Sequence, residues 1–360
     1  MNMAVWWRKL AEGRQTGFAA GWLKLLLAPF ALMYGSVLRV RRLLYQFGIL
    51  RVHRLPCPVI SIGNITVGGT GKTPATILVA QELQQRGYRV AVLSRGYGGS
   101  LEGQVAVVSD GQQLLLSPEE CGDEPCLLAG RLPGLVVVIG ADRFKAGLLA
   151  LEQLKPDIML LDDGFQHIRL HRDLNILLLD ASRPFGNGWT LPLGLLREPV
   201  AALKRADMVI FTRCAPFQPV PDPGLPWCRA DHGLSGFYLQ ATGEPIAPGM
   251  LQQGRVVAFA GIADPAAFFN SLQALGIAPV VTCPLQDHEP YRPERLKQLD
   301  RLVADADADW LITTEKDAVK LIGADRIWSK KLVTAGLDLK LEDGGELLRQ
   351  NLDKLLSSRR

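Results

Sequence analysis

Val59-Ile60-Ser61-Ile62-Gly63-Asn64-Ile65-Thr66-Val67-Gly68-Gly69-Thr70-Gly71-Lys72-Thr73-Pro74 joins an apolar run to a glycine-rich loop, then to a basic and a hydroxyl residue. The apolar run reads as a buried strand, and Pro74 suits the first turn of a helix, where its missing N–H is no loss. Between strand and helix, glycines let backbone N–H groups converge on one point, and the helix turns its N-terminus toward it. Lys72 adds a charge there and Thr73 an oxygen suited to Mg²⁺. Gly68, Gly69, Thr70, Gly71, Lys72 and Thr73 are therefore candidate nucleotide-binding residues, and a nucleoside triphosphate is the expected occupant. A plain glycine-rich turn is the alternative. The strict pattern G-x-x-x-x-G-K-[ST] would begin with a glycine at position 66, where this chain has Thr66.

Downstream, the patterning predicts a helix over 75–86 and strands over 88–94, 104–108, 135–139, 157–161, 175–179 and 208–211, with a helix over 143–154. Apolar strands alternating with helices imply right-handed crossovers and a parallel sheet covered on both faces. Proline is dense between 215 and 227, and turn signals recur between 237 and 253. The expected organisation is a leader over 1–56 belonging to the first domain, a P-loop core over 57–230, a connector over 231–254 that can form a β-ribbon, and a smaller α/β domain over 255–360. The fold class is α/β: a P-loop NTPase-like parallel sheet domain, a smaller C-terminal α/β domain and an N-terminal membrane-associating helix.

Ile158-Met159-Leu160-Leu161-Asp162-Asp163 is an apolar strand ending in two carboxylates. A carboxylate at a strand tip beside a phosphate loop holds the metal directly or through water, which makes Asp162 a candidate magnesium residue beside Thr73. Two acids after a strand are otherwise a solvated turn. Transfer of a phosphoryl group to an alcohol also needs a group to hold the acceptor hydroxyl, for which Asp123 and Glu124 are candidates. Asp123 as a simple helix N-cap is the competing reading. Asp287 and His288 form a further pair in which histidine can orient a carboxylate. Arg95, Arg143 and Arg197 lie next to expected strand ends or turns and can grip phosphate. Thr314-Glu315-Lys316-Asp317 is superficially like a guanine-specificity motif, but its lysine and aspartate are adjacent, which favours ATP over GTP.

With 360 residues, 48% of them hydrophobic, the chain can bury a large core. Its six cysteines include no C-x-x-C pair, so neither a zinc site nor a disulfide framework is expected. Through Pro56 there are nine Lys or Arg against one acid, a net +8, while the remainder is −4. A basic leader on a slightly acidic body suits an anionic membrane surface and argues against nucleic acid. Residues 17–38 are almost wholly apolar, interrupted by Lys24 and Pro29 and flanked by basic residues. A helix lying in the membrane interface is favoured over a span, since basic charge on both flanks gives no inside and outside.

In order along the chain, the loop at 63–74, Ser94-Arg95-Gly96-Tyr97-Gly98, Gly122-Asp123-Glu124-Pro125, Asp162-Asp163-Gly164-Phe165-Gln166-His167, Leu191-Pro192-Leu193-Gly194 with Arg197-Glu198-Pro199, Phe259-Ala260-Gly261-Ile262, Asp287-His288 and the 314–321 segment together resemble the tetraacyldisaccharide 4'-kinase family, the lipid A 4'-kinases of Gram-negative bacteria. The family shares the departure at Thr66. The resemblance implies transfer of the γ-phosphate of ATP, with Mg²⁺, to the 4'-hydroxyl of a tetraacylated glucosamine disaccharide 1-phosphate. It places that reaction at the cytoplasmic face of the inner membrane, with no protein partner evident. It further implies that Asp123 with His288 acts on the acceptor hydroxyl, that Asp162 and Asp163 serve metal and phosphate geometry, and that Arg95, Tyr97, Arg143, Gln166, His167, Arg197 and Glu198 line the substrate site. On this reading the base lies on the first domain, its histidine partner on the second, and closure about the 230–254 connector completes the site. A membrane-recruited ATPase switch of the partitioning type is the rival. Such switches carry a lysine where this chain has Val67, and they need no acceptor-hydroxyl base.

Overall fold

The computed structural model describes residues 3–214, 218–323 and 325–357. Ala215 to Phe217, at the start of the proline-dense stretch, lie outside the described residues. The chain begins with α1 (Met3–Ala11), α2 (Phe18–Gln46), β1 (Val59–Asn64), α3 (Lys72–Gln85), β2 (Val90–Ser94), β3 (Ala106–Asp110), α4 (Pro118–Cys121), α5 (Asp123–Arg131) and β4 (Val136–Ile139). It continues through α6 (Arg143–Leu154), β5 (Ile158–Asp162), β6 (Leu174–Asp180), β7 (Met208–Thr212), β8 (Trp227–Leu239), β9 (Pro245–Ile246), α7 (Pro248–Gln253) and β10 (Val256–Ala260). The remaining elements are α8 (Pro265–Ala274), β11 (Val281–Pro284), α9 (Pro293–Asp305), β12 (Trp310–Thr314), α10 (Glu315–Ala318), β13 (Leu332–Leu341) and α11 (Gly345–Ser357).

Two compact units divide the chain, the first comprising Met1–Ser94, Asp142–Asp231 and Lys340–Arg360, the second Arg95–Ala141 and His232–Leu339. In the first unit β1 pairs in parallel with β5 and β6, β5 with β2, β6 with β7, and β7 with the start of β8. Strands β1, β2, β5, β6 and β7 are buried at every position. That is the signature of a parallel sheet with both faces covered. In the second unit β10 lies between β11 and β12, β12 pairs with β13, and all are parallel. Phe237 of β8 pairs antiparallel with Ile246 of β9.

These units differ from the domain boundaries expected from the sequence. Arg95–Ala141 leaves the expected 57–230 core and joins the second unit, while Lys340–Arg360 leaves the expected 255–360 domain and joins the first. Specific contacts account for both. Arg131 at the end of α5 pairs with Glu315 at 2.8 Å. Leu348, Leu352 and Leu355 bury one face of α11, and Asp353 and Arg349 bind Arg86 and Glu82 beside α3 at 2.7 and 3.3 Å. Strand β3 also departs from the expected parallel sheet, running antiparallel to β4 with Ala106 opposite Ile139.

Helix α2 has 29 residues and is long and apolar enough to cross a membrane. One strip of it is fastened to the protein: Thr190 Oγ1 donates to Ala31 O and Tyr34 Oη to Arg197 O, both at 3.0 Å. Its other faces expose Trp22, Leu25, Leu26, Phe30, Met33 and Val37.

Gly63 shows how tightly the first unit is built. A Cβ there would stand 2.8 Å from both the Cβ and the backbone N of Phe165. Gly63→Ala is therefore expected to destabilise the protein by about 1–3 kcal/mol through overpacking. Gly130, exposed within α5 with nothing within 4 Å of the added carbon, provides the contrast. Gly130→Ala should stabilise by about 0.5–1 kcal/mol. Opposite shifts of the two thermal midpoints in calorimetry check both statements.

Candidate active site

The phosphate loop leaves β1 in extended conformation. Val67 N donates to Leu195 O at 2.8 Å, Arg197 N to Ile65 O at 2.7 Å, and Thr66 bridges antiparallel to Leu196. Extended backbone suits any L residue, which explains why Thr66 stands where the strict motif has glycine. Gly68 at φ 120 and Gly71 at φ 80 do need to be glycine. Gly69 meets only Arg213, at 3.8 Å, so space alone does not require it. The loop is fixed from two sides: Asn64 Nδ2 donates to Thr70 Oγ1 at 2.8 Å, and Thr212 Oγ1 donates to Thr70 O at 3.0 Å. Gly71 precedes α3, whose first two residues are Lys72 and Thr73.

The tip of β5 lies beside the loop because β1 and β5 are neighbours, with Ile62 opposite Asp162. Asp162 is buried and accepts hydrogen bonds from Thr76 Oγ1 at 3.2 Å and Ser94 Oγ at 3.5 Å. Asp163 follows at φ 52, a left-handed backbone that costs strain in a residue with a Cβ. Its two carboxylate oxygens accept from Arg197 Nη1 at 2.8 and 3.1 Å, and Lys72 Nζ stands 4.0 Å away. Burial pushes this carboxyl up, but Lys72 and Arg197 outweigh it and hold it below the usual carboxylate range. Arg143, itself buried, donates to the Asp162 carbonyl at 3.4 Å.

Gln166 Nε2 donates to Asn64 O at 2.7 Å, tying the segment after β5 back to β1. His167 is half-buried, and its buried Nε2 has no partner. Burial first, and then Arg143, push its pKa down to about 4, so it is neutral near pH 7. Glu198 is turned to Arg205 at 2.5 Å.

A second cluster lies wholly within the other unit. Asp123 is the first residue of α5, yet no side-chain capping bond forms there. Its Oδ2 is instead 3.2 Å from His288 Nδ1 and 3.1 Å from Lys320 Nζ. Burial raises this carboxyl; the His288 hydrogen bond and the Lys320 ammonium prevail and hold it below its ordinary range. Asp123 and His288 therefore belong to one unit rather than to two separate domains, because α5 packs within the second unit. The Tyr97 ring stands edge-on to His288, with centroids 5.9 Å apart. Arg95 is exposed and pairs with Glu102 at 3.4 Å, so it does not join Asp123 and His288.

Lys316, Lys320, Asn64, Thr76 and Ser94 are functional neighbours that the sequence reading did not single out. The first two sit inside the 314–321 segment, whose place in the family resemblance was their one available signal. The buried neutral state of His167 has a measurable consequence. As pH falls from about 6.5 to about 4, the unfolded chain takes up this proton before the folded one does, so stability is lost across that window, by at most about 3 kcal/mol. His167→Gln should flatten that acid limb in urea titrations.

Comparison with known proteins identifies the family. The family profile described as Tetraacyldisaccharide-1-P 4'-kinase matches residues 23–357. A tetraacyldisaccharide 4'-kinase of Pelobacter propionicus is 51% identical over 358 residues, covering 98% of this chain and 99% of the relative. One from Geobacter sulfurreducens is 53% identical over 322 residues, 89% and 91% of the two chains. The crystal structure of LpxK from Aquifex aeolicus in complex with ATP superposes with a TM-score of 0.79 at 36% identity, covering 92% of this chain and 99% of that one. The chain belongs to the tetraacyldisaccharide-1-P 4'-kinase family.

Proposed function

We propose that this chain transfers the γ-phosphate of ATP to the 4'-hydroxyl of a tetraacyl glucosamine disaccharide 1-phosphate, a step of lipid A synthesis at the cytoplasmic face of the inner membrane. Asp123 carries the reading: an ionised carboxylate with one oxygen tied to His288 and Lys320 leaves the other to accept a hydroxyl proton. A partitioning ATPase has no use for such a group.

The backbone N–H groups of residues 68–72 hold the triphosphate, and Lys72 and Arg197, kept apart and aimed by Asp163, neutralise its charge. Asp123 takes the proton as the O–H bond of the acceptor breaks. The freed oxygen forms a bond to the γ-phosphorus, the bond from that phosphorus to the bridging oxygen breaks, and ADP leaves with the electron pair. A carboxylate below its ordinary pKa is a weak base, which suits a loose transition state in which the hydroxyl proton departs late.

The donors at Asp162 fit a magnesium ion. They are hard oxygens, and Asp162 is oriented by two hydroxyls. Mg²⁺ in nucleotide sites is held by one or two protein oxygens plus phosphate, and Asp162 with Thr73 would supply them. When bound, the ion neutralises charge on the phosphate oxygens. Arg143 and Gln166 brace the site through their bonds to the Asp162 carbonyl and Asn64 O, with His167 neutral. Helix α2, with its exposed apolar faces and basic surroundings, rests in the membrane interface and keeps the enzyme beside its acylated acceptor.

Three outcomes are expected. In detergent, the native chain transfers labelled phosphate from ATP to the tetraacyl disaccharide 1-phosphate, and Asp123→Asn lowers kcat by about 10²–10⁴-fold with little change in the KM for ATP. ATP hydrolysis that needs no lipid, with Asp123→Asn as active as the native chain, would overturn the assignment. Lys72→Ala should raise the KM for ATP and lower kcat together. Leu26→Glu combined with Met33→Glu should weaken binding to vesicles rich in anionic phospholipid by about tenfold or more, as expected for losing two buried apolar side chains, with the circular dichroism spectrum unchanged.

A further inference from the structure

Beside the Asp123 and His288 pair the second unit also places Lys316, which the proposed reaction leaves without a role. We infer that Lys316 is a positioning residue that fixes the tautomer of His288, and that Lys320 holds the Asp123 oxygen that His288 also binds. The inference rests on Asp123 acting on the acceptor hydroxyl.

An ammonium group donates only, and a neutral imidazole has one N–H and one lone pair. Lys316 Nζ lies 3.2 Å from His288 Nε2, so Nε2 must offer its lone pair. The ring proton then sits on Nδ1, 3.2 Å from Asp123 Oδ2, and is donated to it. The other tautomer would face an N–H toward the ammonium and a lone pair toward the carboxylate, two repulsive contacts in place of two attractive ones. The three residues thus form a chain with one direction, from Lys316 through His288 to Asp123.

Both lysines are themselves held. Lys316 Nζ is 3.2 Å from Asp287 and 3.8 Å from Glu124. Lys320 Nζ donates to Glu289 O at 3.3 Å, stands 3.6 Å from Asp317, and lies 5.5 Å from the centre of the Tyr291 ring. Asp317 is fully buried and accepts from Gly261 N, Tyr291 Oη and Thr314 Oγ1, each at 2.8 Å. Burial and then Asp317 push the Tyr291 hydroxyl up, which keeps it a donor. This anchored support holds two donors on Asp123 Oδ2. His288 has no vacant lone pair toward Asp123, so it orients the carboxylate and does not receive the substrate's proton.

Long-range proton–nitrogen correlation on the full chain labelled with ¹⁵N-histidine, near neutral pH, tests the tautomer directly. The chain has five histidines, and His288→Gln identifies the signal. The native chain should show the proton on Nδ1. In Lys316→Met, the Nε2–H form should become populated and kcat should fall by about 10–100-fold, with the KM for ATP within about twofold. Lys316→Arg, also donor-only, should restore the Nδ1–H form and most of the rate. A native His288 protonated on Nε2, or a Lys316→Met chain with unchanged tautomer and kcat, overturns the inference, and the native spectrum decides even if a variant does not fold. Loss of activity in Asp123→Asn together with an unchanged tautomer in Lys316→Met would sink this inference alone, whereas full activity in Asp123→Asn would sink the reading beneath it.

Discussion

The parallel pairing of β1 with β5, with Ile62 opposite Asp162, determines where every group of the phosphate site lies. Both strands end at the same edge of the sheet, so the loop that follows one and the carboxylates that end the other become neighbours without further arrangement. Gly63 then allows the segment after β5 to cross β1 in near contact, and Gln166 closes the crossing with its bond to Asn64. Ligands of open α/β sheets bind at the carboxyl ends of strands for this reason. Here the same constraint also places Arg197, since the 195–197 segment pairs with the start of the loop.

Each unit handles a half-buried carboxylate in the same way. Asp163 is charged because Lys72 and Arg197 outweigh its burial, and Asp123 is charged because His288 and Lys320 do. A buried anion without such partners would take up a proton instead. The two sites differ in what the cations are free to do. Lys72 and Arg197 are held by a single acid and can turn to a triphosphate, whereas Lys320 is locked by Asp317, the Glu289 carbonyl and the Tyr291 ring, and serves the carboxylate alone.

Much of this was legible in the sequence where a local rule applied. Alternation of apolar strand and helix located α6 to the residue and most strands of the first unit within two, and glycines at strand ends marked the phosphate loop. What local rules do not encode was missed. The membership of α5 is marked by Arg131 meeting Glu315, 184 positions away, and that of α11 by its buried leucine face and by Arg86 meeting Asp353, 267 positions away. Lys316 and Lys320 stood in a segment marked only by its resemblance, and nothing local tells that folding brings them to His288 and Asp123. Strand β13 was not anticipated, because its C-terminal half alternates apolar and polar residues without a turn signal before it.

The three-part construction of the first unit bears on how the chain is made. The segment Lys340–Arg360 that completes this unit follows the whole of His232–Leu339 in the chain. A ribosome therefore releases the entire second unit before the last helix of the first can dock against α3. The sheet that holds the phosphate loop must wait, part-covered, with α2 already presenting its apolar faces. An unfinished sheet of this kind exposes apolar surface and is prone to association. Early capture of α2 by a bilayer would keep nascent chains apart during that interval, so an exposed apolar helix at the start of the chain would protect the unfinished protein.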